Sequence, residues 1–234
     1  MKTPARNLLL LGAIFATTHL AWGAETSILV PSSSQNVGGY FGEYFTLGPS
    51  SRLQAVYGAS LLNQLQVGDQ ITGISFSPNG TQPSVPPQTV ADYSITLSTA
   101  KNGPGQLSEN FRDNIGFDAT TVRHGPLVVG QDDYPGFGKV IEFTTPFTYK
   151  GGPLLVDIAH SGFTSGAFVG GAFGIDAEIL WGSAESETSN LGWANSMGVV
   201  LNLKVQTVPE PSTYLLLAFG IGALAWIRRR SVGP

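Results

Sequence analysis

Apolar and polar side chains alternate with a period of two along most of the chain, and a helical period is nearly missing. In Asp92–Thr99 the pattern puts Tyr93, Ile95 and Leu97 on one face and Ser94, Thr96 and Ser98 on the other. "GVVLNLKVQT" does the same, with Val199, Leu201, Leu203 and Val205 inward and Asn202, Lys204 and Gln206 outward. Successive side chains of a strand point to opposite faces, so both segments read as half-buried strands. "ITGISFSP" after the Gly68-Asp69 turn signal, "GKVIEFTTPFTYK", "GGPLLVDIAH", "AEILW" and "SILVP" add further strands, and Lys150-Gly151-Gly152-Pro153 reads as a turn. Two brief segments, Gln54–Leu65 and Gln106–Ile115, are the candidate helices. Gly and Pro recur every ten residues or so, the rhythm of an all-β sandwich or jelly roll, so a single such domain is expected.

Both ends break this pattern. Met1–Gly23 opens with Lys2 and Arg6, continues through "LLLLGAIFA" and closes on Ala21-Trp22-Gly23. That is a basic, then apolar, then small-residue series. It predicts a signal peptide cut after Gly23, with Ala21 and Gly23 at the −3 and −1 positions. At the other end, Ser212–Ile227 carries no charge and is followed by Arg228, Arg229 and Arg230. As a helix it would extend about 24 Å, a little short of a hydrocarbon core of roughly 30 Å unless the arginines snorkel. Positive charge stays in the cytoplasm, so the body is expected outside the inner membrane. The division is therefore 1–23 signal peptide, 24–207 extracellular β-domain and 208–234 membrane segment.

Charge and cysteine narrow the function classes. Residues 24–208 carry 7 Lys and Arg against 15 Asp and Glu, a formal charge of −8. Isolated basic residues on an acidic body argue against nucleic acid, which needs a clustered basic face. The chain contains no cysteine, which removes disulfides, thiolate metal sites and thiol catalysis.

Catalytic patterns are sparse. His124 and His160 lie far from any HExxH pairing and read as surface or strand-end histidines. The nearest relative of a nucleophile elbow is Ala194-Asn195-Ser196-Met197-Gly198, and no histidine follows Ser196, so the α/β-hydrolase order is closed. Paired acids occur in "ENFRDNIGFD", with Glu109, Asp113 and Asp118, and at Asp132-Asp133. Carboxylates brought together hydrolyse glycosidic bonds or hold calcium, so Asp132 and Asp133 are calcium candidates. Without a D-x-[DN]-x-[DN]-G loop they read equally as solvated turn residues, and no cofactor is expected. Trp181 and Trp193 flank an acidic, polar loop and are the candidates for stacking on a sugar ring, against the alternative of core packing.

"VPEP" at Val208–Pro211, then an apolar run, then an arginine cluster at the extreme C-terminus resembles the PEP-CTERM sorting signal of exosortase substrates. "RLQAVYGASLL" followed by "ITGISFSP" also resembles the β-rich domains common in such substrates. The resemblance implies a Gram-negative bacterium that makes extracellular polysaccharide. It also implies an exosortase, a membrane-embedded cysteine transpeptidase, that recognises Pro209, Glu210 and Pro211 and removes the helix. Proline restricts itself and the residue before it, so Val208–Pro211 is expected to stay extended, a form a membrane protease can engage. The expectation is an exported surface or matrix protein, not an enzyme, associated with exopolysaccharide or biofilm. Its partners would be signal peptidase, exosortase and the inner membrane in transit. The alternatives are a lectin-like module and a glycosidase.

Overall fold

A computed structural model describes residues 23–32, 49–77, 86–130, 133, 139–164, 171–173, 175–182, 186–208, 219–222 and 224. The chain divides into two compact units. One is Gly23–Val208; the other combines Met1–Trp22 with Pro209–Pro234. In the second, positions 219–222 and 224 are helical and exposed. Among the described residues no helix is long and apolar enough to cross a membrane. Ala21, the Pro209-Glu210-Pro211 triplet and Arg228–Arg230 lie outside the described residues.

The first unit is all-β, as the alternation predicts. In chain order its strands are β1 Glu25–Val30, β2 Pro49–Tyr57, β3 Gln70–Phe76, β4 Gln88–Val90, β5 Tyr93–Thr99, β6 Thr120–Arg123 and β7 Leu127–Val129. They continue as β8 Ile141–Thr148, β9 Leu154–Gly162, β10 Gly171–Phe173, β11 Ala177–Gly182, β12 Gly192–Asn195, β13 Met197–Val199 and β14 Leu201–Gln206. A four-stranded sheet runs β1-β14-β3-β8 and a six-stranded sheet runs β12-β11-β2-β9-β5-β6. β10 pairs β13 and β4 pairs β7 in two small ribbons, and the named pairings are antiparallel throughout.

The two larger sheets share one core. Ile28, Ile74, Phe147, Leu203 and Val205 come from the four-stranded sheet; Leu53, Tyr57, Ile95, Leu97, Val156 and Ile179 come from the six-stranded one. Burying each such side chain contributes about 1.5–3 kcal/mol, which in the absence of disulfides is the main source of stability. Tyr57 is fully enclosed and donates its hydroxyl to the Val199 carbonyl at 2.7 Å, tying β2 to β13. A buried phenol must find such a partner, and burial pushes its pKa well above the ordinary tyrosine value.

The candidate helices are corrected. Gln54–Tyr57 is the end of strand β2, and only Ala59–Leu62 turns, as one 3-10 turn. β2 is flanked by β11 and β9 and covered on both faces, so Gln54 is as buried as Leu53 and the alternation is blurred. In Gln106–Ile115 only Phe111–Asn114 is helical, one turn whose second amide, Arg112 N, donates to the capping Asn110 side chain at 3.1 Å. This short helix is held by tertiary contacts, because four residues do not sustain a helix alone.

Both chain connections of the unit lie at one end. Register places Thr148, Gln70, Gln206 and Glu25 side by side at one end of the four-stranded sheet. Thr99, Leu154, Tyr57, Ala177 and Thr120 end or begin their strands at one end of the six-stranded sheet. The turn Lys150–Pro153 joins β8 to β9, so these are the same end of the unit. Gly151 and Gly152 have φ of 87° and 81°, the left-handed region that glycine enters without strain. The chain enters the unit at this end through Gly23 and leaves it through Val208.

Candidate functional site

The exit from the last strand is built around Asp69. After Gln206 the Thr207 amide and hydroxyl both donate to the Ala24 carbonyl at 3.1 Å, continuing the β1–β14 ladder by one residue. Gly23 lies so close to Thr207 that a side chain there would strike the Thr207 carbonyl oxygen. The next residue is fixed from below: the Val208 amide donates to Asp69 Oδ1 at 3.1 Å, and the Gln66 amide donates to Asp69 Oδ2 at 2.9 Å. Asp69 is only 2% exposed. Its own amide donates to the Gln66 carbonyl at 3.1 Å within the turn, and its carbonyl accepts from Tyr149 N at 2.8 Å. A buried carboxylate needs such amide donors to offset its lost hydration. Sequence reasoning took Gly68-Asp69 as a turn and missed this role, because the partner lies 139 residues away.

A second constellation covers the outer face of the six-stranded sheet. Arg52 grips Asp157 bidentately, Nε to Oδ1 at 3.1 Å and Nη2 to Oδ2 at 2.7 Å. Gln54 Nε2 donates to the same Asp157 Oδ2 and to the Phe111 carbonyl, both at 2.9 Å, and Gln54 Oε1 accepts from Asn114 Nδ2 at 3.1 Å. The Arg52 guanidinium sits 4.7 Å from the centre of the Phe111 ring. Glu178 accepts the Gly105 and Leu107 amides at 2.7 and 3.2 Å. These groups clamp the β5–β6 connection, residues 100–119, onto the sheet.

The sequence-predicted site residues fall in separate places. Trp181 and Trp193 are brought together: they are directly opposite in the β11–β12 register, hence on one face. Trp181 packs partly against the core, whereas Trp193, on the edge strand, is 60% exposed. Asp132 lies outside the described residues. Asp133 accepts the Gly130 amide at 2.6 Å and faces Lys139 Nζ at 3.3 Å. Among the described residues no group of three or more His, Asp or Glu side chains could hold a metal ion. Asp118 binds the Thr99 amide and hydroxyl, both at 2.8 Å, and Asp113 meets Ser108 Oγ at 3.3 Å, so these two acids have separate partners. His124 is at the surface, 3.3 Å from Asp92. His160 is near the end of β9 but buried, stacked on Tyr93 at 5.8 Å and 3.1 Å from Ser51 Oγ.

Elsewhere the surface is held by weak ion pairs. Lys204 bridges Glu142 at 2.9 Å and Glu25 at 3.3 Å across β8, β14 and β1, and its hydrogen bond to Glu142 raises its pKa. Exposed pairs of this kind add little to stability.

Compared with known proteins, residues 207–231 match the PEP-CTERM protein-sorting motif. The match begins at Thr207, one residue past the end of β14, and supports an exported exosortase substrate. No curated protein and no solved structure matches the chain.

Proposed function

We propose that this chain is a secreted structural or matrix protein, delivered to the cell surface through a C-terminal signal and associated there with extracellular polysaccharide. The observation that carries the reading is the sorting motif at 207–231, set immediately after the last strand of a self-contained unit. In this reading signal peptidase cuts after Gly23, and Ser212–Ile227 crosses the inner membrane with Arg228–Arg230 in the cytoplasm. An exosortase then acts at Pro209-Glu210-Pro211. The chemistry belongs to that enzyme; the chain supplies the substrate. The body is proposed as a single sandwich of the jelly-roll kind, supported by two antiparallel sheets that share one core.

No catalytic role is assigned to the body. Asp69, Asp118, Asp157 and Glu178 each accept internal hydrogen bonds that hold loops and strands in place. The test of sorting is the intact mass of the protein recovered from the surface of cells with an active exosortase. A product ending near Pro211 is expected, and a product still ending at Pro234 overturns the proposal.

A lectin-like activity is the second reading, favoured by one observation. Trp193 presents an exposed indole on an edge strand with Trp181 directly opposite, an aromatic platform of the kind that stacks on pyranose rings.

A further inference from the structure

The end of the body from which the sorting segment leaves carries a set of exposed apolar side chains that the core does not use. Phe117 is 97% exposed, Val67 74% and Val208 46%. Contacts link them around one rim. Val208 lies 4.0 Å from the position a side chain at Gly68 would take, and Val67 lies 3.3 Å from the same position at Gly151. Gly152 neighbours Thr99, and Thr99 in turn backs Gly116, next to Phe117. A recess of about 350 Å³ lined by Thr99, Ala100, Lys101, Gly116 and Phe117 opens beside the ring.

Lys101 and Lys150 are exposed here. Of the acids at this end, Asp69 is buried, Asp118 is bonded to Thr99, Asp176 accepts from Ser60 at 2.6 Å, and the exposed Glu25 pairs with Lys204 at 3.3 Å. Lys101 and Lys150 are thus exposed cations on a domain of formal charge −8, outside the ion pairs of the described residues.

We propose that this rim is a membrane-contact face, which rests on the reading of the C-terminal segment as a bilayer anchor. The occupant is the phospholipid headgroup region of the bilayer that holds the unprocessed chain. The argument is one of reach. Asp69 fixes Val208 to the body, and only Pro209, Glu210 and Pro211 separate it from the uncharged run that starts at Ser212. The four steps from Val208 to Ser212 span at most about 14 Å. Whichever end of the body bears Val208 is thus held within that distance of the bilayer. Phe117 and Val67 are apolar side chains that this proximity lets leave water, and Lys101 and Lys150 are placed to meet lipid phosphates. Removal of the anchor would then release a face that binds lipid only weakly by itself.

The lack of cysteine makes the test direct. The full chain is reconstituted in vesicles of phosphatidylethanolamine and phosphatidylglycerol that hold no other protein. It bears one environment-sensitive fluorophore at Gln66→Cys, on the rim, or at Ala91→Cys, at the opposite end of the body; both sites are exposed. Flotation with the vesicles reports anchoring, and quenching by headgroup-level nitroxide lipids reports contact. The expected result is flotation of both, with blue-shifted, quenched emission at position 66 only, and loss of that difference in Phe117→Ser. Flotation with equally water-like emission at both positions overturns the contact face and leaves anchoring standing. Failure of the chain to float overturns the anchor and this inference together.

Discussion

The clamp between Arg52 and Asp157 gives a quantitative test of how the outer face is held. Both side chains are largely enclosed, with 17% and 7% of their surfaces exposed, and their contact is a two-point fork. Arg52→Met removes the cation but keeps most of the stem. Asp157 is then a buried carboxylate with Gln54 as its remaining side-chain donor. Breaking one partner of such a pair costs about 3–5 kcal/mol; solvent access to Arg52 argues for the lower end, about 3 kcal/mol. Asp157→Leu strands the guanidinium in turn, still bonded to the Ser189 carbonyl at 3.2 Å, and is expected to cost about as much. The double variant has no orphaned charge and retains the Gln54 bond to the Phe111 carbonyl, so its loss should not exceed about 2 kcal/mol. The coupling read from urea unfolding, followed by the far-ultraviolet strand signal, is therefore about 4 kcal/mol. Additive losses, with a coupling below about 1 kcal/mol, would refute the claim that the pair is buried and interdependent. Local hydrogen exchange adds a second readout. Amides of residues 105–115 should lose protection in either single variant before those of β5 and β9 do.

Asp69→Ala removes the acceptor of the Gln66 and Val208 amides. It should cost about 2–4 kcal/mol, at roughly 1.5–3 kcal/mol per charge-assisted bond with partial rescue by water. Its signature is loss of exchange protection at Val208; retained protection would contradict the latch. Alkaline pH should unfold the protein progressively. Tyr57 and Tyr149 are both raised above their ordinary value of 10.0 by burial, so the unfolded chain ionises first. Their contribution is whole below pH 10 and declines as pH climbs above 10 toward the folded values, measurable as a falling Tm. Tyr57→Phe should flatten that decline while lowering the Tm at pH 7, because the bond to Val199 is lost; an unaltered slope would count against it. Trp193→Ala should abolish any signal on an array of bacterial polysaccharides with little change in Tm, given its exposure, and an undiminished signal would exclude the aromatic platform.

Legibility along the sequence followed the range of the interactions. β5 and β14 announce themselves because one face of each is solvated or polar, so Tyr93, Ile95 and Leu97, and Leu201, Leu203 and Val205, stand out. β2 does not, because Gln54 is buried on the face opposite Leu53 and Ala55 by a loop drawn from residues 105–115. The sorting motif is legible because its information is local, a proline pair, an apolar run and a basic end in fixed order. Asp69 is not, since nothing near Gly68 in sequence marks the amide it will meet. The opposition of Trp181 and Trp193 was equally hidden: their flanking positions are visible in sequence, but the register that sets them face to face is a property of the folded hairpin.

The pairing of Glu25–Val30 with Leu201–Gln206, with Thr207 still bonded to Ala24, has a mechanical consequence. A domain fastened at Val208 and gripped near its opposite end is pulled along its strands. Ladder hydrogen bonds lie across the strand axis, so β14 cannot be peeled away one pair at a time. Its bonds to β1 on one side and β3 on the other must slide together. Tension applied at Val208 therefore meets both ladders at once, and the resistance of the domain to it is set by shear of its inner strand.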